Sequence, residues 1–282
     1  MQRIERVREL QAWSDGVRAA GGRVALVPTM GALHPGHLSL VRHAYRCADR
    51  VIVSIFVNPT QFGAGEDFSF YPRDLERDCE LLRELGTDVV FAPPVKEVYP
   101  EGWSTWVEVE GLTGGLCGRN RPGHFRGVTT VVARLFHAAK PHVAVFGEKD
   151  YQQLAVIRRM ARDLLLDVEI EGAPTVREPD GLAMSSRNRN LSEEERLQAR
   201  ALHAALREAA LSVRAGERRS AVLIESVRRQ IAEQPAACVD YVEIVDPDTL
   251  DPVASIVRRA VLAVAVRFPK ARLIDNALLE TA

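Results

Sequence analysis

Short, continuously apolar runs separated by amphipathic stretches set the rhythm of the first two thirds of the chain. Over 3–20, Ile4, Val7, Leu10 and Val17 fall near one helical stripe, and Gly21-Gly22 ends it. The run Arg23-Val24-Ala25-Leu26-Val27-Pro28 follows, with the pattern of a strand buried on both faces of a parallel sheet. The alternation then predicts a helix over 38–49, a strand over 51–57, a helix over 75–85 stopped by Gly86, and a strand over 88–92 closed by Pro93-Pro94. After a less regular stretch come a helix over 128–139, a strand over 142–146, a helix over 151–165 and a short strand over 168–170. Strands joined through helices are βαβ units, so this part predicts an α/β, doubly wound, Rossmann-like domain with a parallel sheet.

The pattern then changes to helix, helix, strand, strand. Ser192 with Glu195 three residues on is a capping-box signature for a helix over 191–215, which Gly216 closes. A second helix over 221–233 ends near Pro235, and strands over 239–245 and 260–268 are joined through Asp246-Pro247. The expected division is therefore a Rossmann-like domain over 1–177 and a smaller α+β C-terminal domain over 178–282.

Composition narrows the function classes. The 282 residues carry 37 Lys and Arg against 38 Asp and Glu, a formal net charge of -1. Such a balance gives no global attraction to nucleic acid or to an anionic membrane, so any anion site must be local. The longest apolar runs, such as Ala260 to Val266, fall far short of the roughly 20 residues of a membrane helix. The N-terminus mixes acids with its bases and lacks the apolar centre of a secretory signal, which reads as cytoplasmic. Cys47, Cys79, Cys117 and Cys238 lie far apart and read as reduced, semi-buried side chains.

Open α/β sheets bind ligands at the carboxyl ends of their strands. After the first predicted strand comes Pro28-Thr29-Met30-Gly31-Ala32-Leu33-His34-Pro35-Gly36-His37, with two glycines, two histidines and a helix start. A helix N-terminus presents backbone N–H groups and a positive dipole end to a phosphate, and His34 and His37 are spaced to face one anion. The residues alone leave a plain turn with two surface histidines as the other reading. The next strand leads to Asn58 and Gln61, whose amides suit a hydroxyl or a carboxylate oxygen. The strand over 142–146 leads to Gly147, Glu148, Lys149 and Asp150, with Gln153 one turn further. There Lys149 suits phosphate oxygens and Asp150 ribose hydroxyls. The last candidate, Met184-Ser185-Ser186-Arg187-Asn188, combines hydroxyls and a guanidinium suited to gripping phosphates.

These blocks carry a family resemblance. His34-Pro35-Gly36-His37 resembles the His-x-Gly-His signature of the nucleotidyltransferase superfamily, and Met184-Ser185-Ser186-Arg187 its downstream Lys-Met-Ser-Lys-Ser-type element. With Val57-Asn58-Pro59-Thr60-Gln61-Phe62, Arg121-Pro122-Gly123-His124-Phe125 and Phe146-Gly147-Glu148-Lys149-Asp150-Tyr151-Gln152-Gln153, the chain is similar to the pantoate–β-alanine ligase family over its whole length.

The resemblance implies an ATP-dependent condensation of (R)-pantoate with β-alanine through a pantoyl adenylate, with AMP and pyrophosphate released. It implies Mg²⁺ beside the ATP, with no protein metal ligand assigned and its direct ligands left open, a homodimer, and a C-terminal domain that covers the active site. It assigns catalysis to His37, His34, Lys149 and Arg187. ATP contacts fall to Met30, Gly31, Ala32, Leu33, His34, Pro35, Gly36, His37, Gly147, Glu148, Lys149, Asp150, Val176, Met184, Ser185, Ser186 and Arg187. Gln61 and Gln153 are implied to bind pantoate, and Asn58 is grouped with them as substrate-binding. Tyr71, Arg121 and His124 lie in matching blocks without a firm role. Arg134 stands where a lysine is usual.

Overall fold

The computed structural model describes residues 1–63, 68 and 70–281. They form two compact units, Met1–Glu110 with Arg121–Glu148 and Val156–Pro174, and Gly111–Asn120 with Lys149–Ala155 and Thr175–Ala282. The second unit thus takes in residues 111–120 and 149–155 from within the stretch assigned by sequence to the first domain.

In the first unit the chain forms β1 (Gln2–Ile4), α1 (Val7–Ala19), β2 (Val24–Thr29), α2 (Pro35–Cys47), β3 (Arg50–Ile55), α3 (Leu75–Glu84), β4 (Val89–Phe91) and α4 (Val95–Val98). The short α5 (Leu116–Asn120) belongs to the second unit; α6 (His124–Ala139), β5 (Val143–Gly147), α7 (Tyr151–Asp163) and β6 (Glu169–Ala173) follow. Among the described residues the sheet has six parallel strands in the order β1-β4-β3-β2-β5-β6. Chain order runs outward from β2 through β3 to β4 on one side and from β5 to β6 on the other. The reversal therefore lies between β2 and β5, and the carboxyl ends of β2, β3 and β5 share one edge.

Val27, Val53, Leu82, Val90, Val143 and Val145 belong to one core cluster of this unit. Each such side chain contributes about 1.5–3 kcal/mol on leaving water, which is why continuously apolar runs became central strands.

Two expectations shift here. The helix read from residue 3 starts at Val7, because Gln2–Ile4 pairs in parallel with Val89–Phe91 and buries Ile4. The helix read from residue 38 starts at Pro35, a residue suited to the first helical position since its φ is preset and no N–H is wasted.

The second unit stacks α8 (Glu193–Arg214) and α9 (Ser220–Ala232) with a three-stranded antiparallel sheet, β7 (Cys238–Val245), β8 (Arg259–Phe268) and β9 (Ala271–Glu280). Leu202, Leu206, Val227, Ile231, Leu262 and Val264 share its core. The expected capping box is present, with Ser192 and Glu195 exchanging side chain and backbone bonds.

Strand β9 was missing from the sequence reading. Its buried positions alternate Ala271, Leu273, Asp275, and the inward aspartate hides the apolar alternation. Asp275 is tolerated because Arg177 meets it with two hydrogen bonds, at 2.7 and 3.0 Å. No helix of the described residues is long and apolar enough to cross a membrane.

Candidate functional site

At the carboxyl end of β2 the chain turns through two left-handed residues, Gly31 (φ 80°) and Ala32 (φ 52°). Thr29 ties this turn to β3, donating its hydroxyl to the Ser54 carbonyl at 2.7 Å and accepting the Gly31 N–H at 3.2 Å. The next two amides are taken up by a buried carboxylate. Ala32 N–H and Leu33 N–H donate to Oδ2 and Oδ1 of Asp78, both at 2.8 Å. Their backbone donors are thus consumed inside the protein, although both residues had been expected among the ATP contacts.

Beyond the turn, His34 takes extended backbone as the N-cap of α2. Pro35 brings no N–H, and His37 N–H folds back onto the His34 carbonyl at 2.8 Å. Gly36 therefore supplies the first-turn amide that the helix does not use by position. The imidazoles of His34 and His37 come together, ring centroids 4.0 Å apart at 31°.

Asp78 escaped the sequence reading. The available signal was an acid on the apolar stripe that Leu75, Cys79 and Leu82 define within the predicted helix. Burial is the largest influence on its carboxyl and raises the pKa, while the two backbone N–H bonds oppose that rise.

After β3 the chain makes a tight turn, Pro59–Gln61. Asn58 is 1% exposed. Its Nδ2 donates to Gln61 Oε1 at 3.0 Å and to the Gly127 carbonyl at 3.1 Å. Its Oδ1 accepts from the Thr60 hydroxyl at 2.9 Å and the Tyr99 hydroxyl at 2.8 Å. Every polar atom of Asn58 therefore has a partner within the fold, one of them the Gln61 side chain. With Oε1 occupied, the Gln61 amide nitrogen donates to Met30 Sδ, 3.3 Å away at the end of the neighbouring strand.

The Gln61 carbonyl is held from the other side. His124 Nδ1 lies 2.8 Å from it, and Arg121 Nη1 lies 3.0 Å from His124 Nε2. A guanidinium only donates, so Nε2 accepts and the proton sits on Nδ1, which donates to the carbonyl. Arg121 and His124 thus position Gln61. Arg134 supports the same corner from behind: its guanidinium stacks over Tyr99 and Trp103, each 5.0 Å from the ring centre, and donates to the Val98 carbonyl. A planar cation stacks in this way, which a lysine ammonium does not. Tyr71 is buried, edge-on to Phe62.

Gly147 and Glu148 stand at the carboxyl end of β5, at the same sheet edge. Lys149 begins the next segment, in the second unit, with its ammonium 3.8 Å from Asp150 and its carbonyl accepting from Asn276 Nδ2 at 2.9 Å. Gln152 is buried; it donates to the Leu112 and Gly115 carbonyls and accepts the Cys117 N–H, all at 2.9 Å. Gln153 is half-buried. In the same unit Met184 N–H bonds to the Val176 carbonyl, placing those two residues side by side. The Ser185 hydroxyl accepts the Arg187 N–H at 3.2 Å and caps the turn Ser186–Asn190. Asn188 pins this arm through the Glu178 carboxylate at 2.6 Å and the Ala183 carbonyl at 3.0 Å. Lys149, Ser185, Asn188 and Asp275 line one small cavity of the unit.

The structure thus gathers His34 with His37, Met30 with Gln61, Lys149 with Ser185, and Val176 with Met184.

Comparisons with known proteins agree over the whole chain. The family model described as Pantoate-beta-alanine ligase matches residues 2–278. A relative from Heliobacterium modesticaldum named pantothenate synthetase is 54% identical over 99% of this chain and 100% of its own length. One of the same name from Geobacter sulfurreducens is 52% identical over 99% of both chains. Among solved structures, pantothenate synthetase from Thermus thermophilus superposes with a TM-score of 0.92 at 51% identity, covering 98% of this chain and 99% of that one. Pantoate-beta-alanine ligase from Francisella tularensis, described as complexed with beta-gamma ATP and beta-alanine, superposes with a TM-score of 0.81 at 35% identity, covering 100% of this chain and 99% of that one.

Proposed function

The chain belongs to the pantoate-beta-alanine ligase family, and from that premise we infer that it joins (R)-pantoate to β-alanine at the expense of ATP. A free carboxylate is a poor acyl donor. Its oxygen attacks the α-phosphorus of ATP, forming the acyl–phosphate bond of pantoyl adenylate as pyrophosphate leaves. The neutral amine of β-alanine then attacks the acyl carbon, AMP departs, and the amine loses a proton.

The observation that carries this reading is the pairing of the two imidazoles after β2, at the sheet edge where strand order reverses, with the Gln61 amide nitrogen against Met30 at the end of the same strand. An N–H donor is what a carboxylate or hydroxyl oxygen requires, so Gln61 serves pantoate, and the half-buried Gln153 serves the same acid. His34 and His37 donate to the phosphates, with His37 the donor that strengthens as charge builds on them. Lys149 neutralises phosphate charge, and Arg187 with Ser185 and Ser186 grips the polyphosphate. Met30, Gly31, Pro35, Gly36, Gly147, Glu148, Asp150, Val176 and Met184 border the nucleotide.

Among the described residues no group of three or more His, Cys, Asp or Glu side chains is placed to hold a metal. On the family resemblance we place Mg²⁺ on the ATP phosphates, where it would supply charge neutralisation. We place the enzyme in the cytoplasm as a homodimer on the family resemblance, and the four free cysteines suit a reducing compartment.

The test is a product assay. ATP–pyrophosphate exchange should require pantoate and not β-alanine, and AMP and pantothenate should appear together only when all three substrates are present. Exchange that ignores pantoate, or AMP release without the amide product, overturns the reading.

A further inference from the structure

A buried carboxylate in a sheet-packing helix calls for an explanation, since an apolar residue of similar volume is commonly at least as stable there. Asp78 is 2% exposed, on the face of α3 that also buries Cys79 and Leu82. Its two oxygens take the successive N–H groups of Ala32 and Leu33. Successive backbone N–H groups in a turn form a nest, a concavity that binds anions. The turn after β2 is such a nest, filled by the protein's own carboxylate. The fit is tight from the other side as well: a Cβ on Gly31 would lie 2.9 Å from Asp78 Oδ2 and 3.1 Å from Ile55 Cγ2, at a φ of +80° that disfavours a side chain.

The nest runs directly into the first of the two histidines. Leu33, whose N–H is held, is followed by His34, and the His34 carbonyl receives the His37 and Leu38 N–H groups that begin α2. The orientation of both imidazoles is thus referred through Leu33 to a carboxylate on a separate helix.

We propose that Asp78 is a positioning residue for adenylation: its carboxylate locks the Gly31–Ala32–Leu33 turn and so aims His34 and His37. Asp78 itself touches no substrate. It also excludes the polyphosphate from the Ala32 and Leu33 amides, leaving the imidazoles and the Gly36 amide to meet it. This rests on the reading that the turn after β2 serves ATP.

The experiment pairs Asp78→Asn with Leu82→Ala, a core truncation on the same helix, both assayed well below their own melting transitions. Asn keeps the shape but offers one acceptor where two N–H groups arrive. Asp78→Asn should lower kcat of pantoate-dependent ATP–pyrophosphate exchange by about 10²-fold, the scale of a small misplacement of catalytic groups, with the pantoate KM little changed. Leu82→Ala should lose melting temperature and keep kcat. Independently of activity, hydrogen exchange in peptides spanning 30–38 should speed up in Asp78→Asn relative to Leu82→Ala. Wild-type exchange in that peptide together with wild-type kcat overturns the proposal. A wild-type protein without pantoate-dependent exchange overturns the functional reading instead, and the hydrogen-exchange comparison still decides the role of Asp78. If Asp78→Asn does not fold, Gly31→Ala strains the same contact from the loop side and is read by the same two measurements.

Discussion

A Cβ built on Gly127 would fall 2.3 Å from the carbonyl oxygen of Thr60, so α6 and the turn carrying Gln61 meet backbone to backbone. Alanine is otherwise worth about 1 kcal/mol over glycine inside a helix, and Gly127 has ordinary helical backbone, so only the contact decides the sign. Gly127→Ala should destabilise by about 1–3 kcal/mol, as overpacking does, and raise the pantoate KM. A thermal melt and a pantoate titration check both; a stabilised variant with wild-type KM removes the contact from the account.

The Asn58 to Gln61 bond gives a sharper variant. Asn58→Asp keeps the volume and replaces the Nδ2 donor with an oxygen facing Gln61 Oε1 and the Gly127 carbonyl. Leaving those acceptors unmet should cost about 1–3 kcal/mol. Gln61 should rotate, and the pantoate KM should rise more than the ATP KM. Equal changes in the two constants would speak against a Gln61 contact with the acid.

His37→Ala and Lys149→Ala should each reduce pantoate-dependent exchange by about 10²-fold or more, the loss attached to one preorganised donor, with far-UV circular dichroism unchanged. Near-wild-type turnover in either variant withdraws its assigned role.

Acid should weaken the fold through His142. Its Nδ1 accepts the Val24 N–H at 2.9 Å, and burial, with Arg18 and Arg23 nearby, holds its pKa below the ordinary 6.5. A lowered pKa means that the unfolded chain binds more protons than the folded one, so stability falls as pH drops through 6.5 towards the folded value. His203, lowered first by burial and then by Arg177, acts in the same direction. His142→Asn retains an acceptor at the δ position and should flatten the dependence of melting temperature on pH between about 5 and 7.5. An unaltered slope would exclude His142 as a source.

In the second unit, Asp275→Ala should cost about 3 kcal/mol, the low end for breaking a buried ion pair, because it strands Arg177. Double replacement of Arg177 and Asp275 by apolar residues should recover part of that loss in denaturant melts. A double variant no more stable than the single one would show that the pair's geometry matters beyond its charge.

Much of this was legible in the sequence because buried parallel strands are continuously apolar and helix caps have local signatures: Val24 to Val27 and the Ser192–Glu195 box both fold as their patterns indicate. What escaped depends on distant partners. Gln2–Ile4 is too short to show a period and is a strand only because Val89–Phe91 lies beside it. Strand β9 hides behind Asp275, whose burial makes sense only with Arg177, 98 positions away. At the site, the residues that touch ligands by resemblance sit in contiguous blocks, whereas Asp78 and Gln152 act on backbone atoms, and Tyr99 on the Asn58 side chain, that only the fold brings near. Asn58 shows the converse, since a polar side chain at a strand end can be spent entirely on its neighbours.

Two glutamines, Gln152 and Gln153, stand side by side at the start of α7. Gln152 is built into the scaffold by three bonds to 112–117, and Gln153, about 100° around the helix, is not. Chemically identical, they are told apart by angle alone. Deleting a single residue between Lys149 and Gln152 would bring Gln153 to the scaffold position and carry Gln152 off it, so the spacing of this short stretch is as constrained as its composition, and variation in its length should be far rarer than variation in its letters.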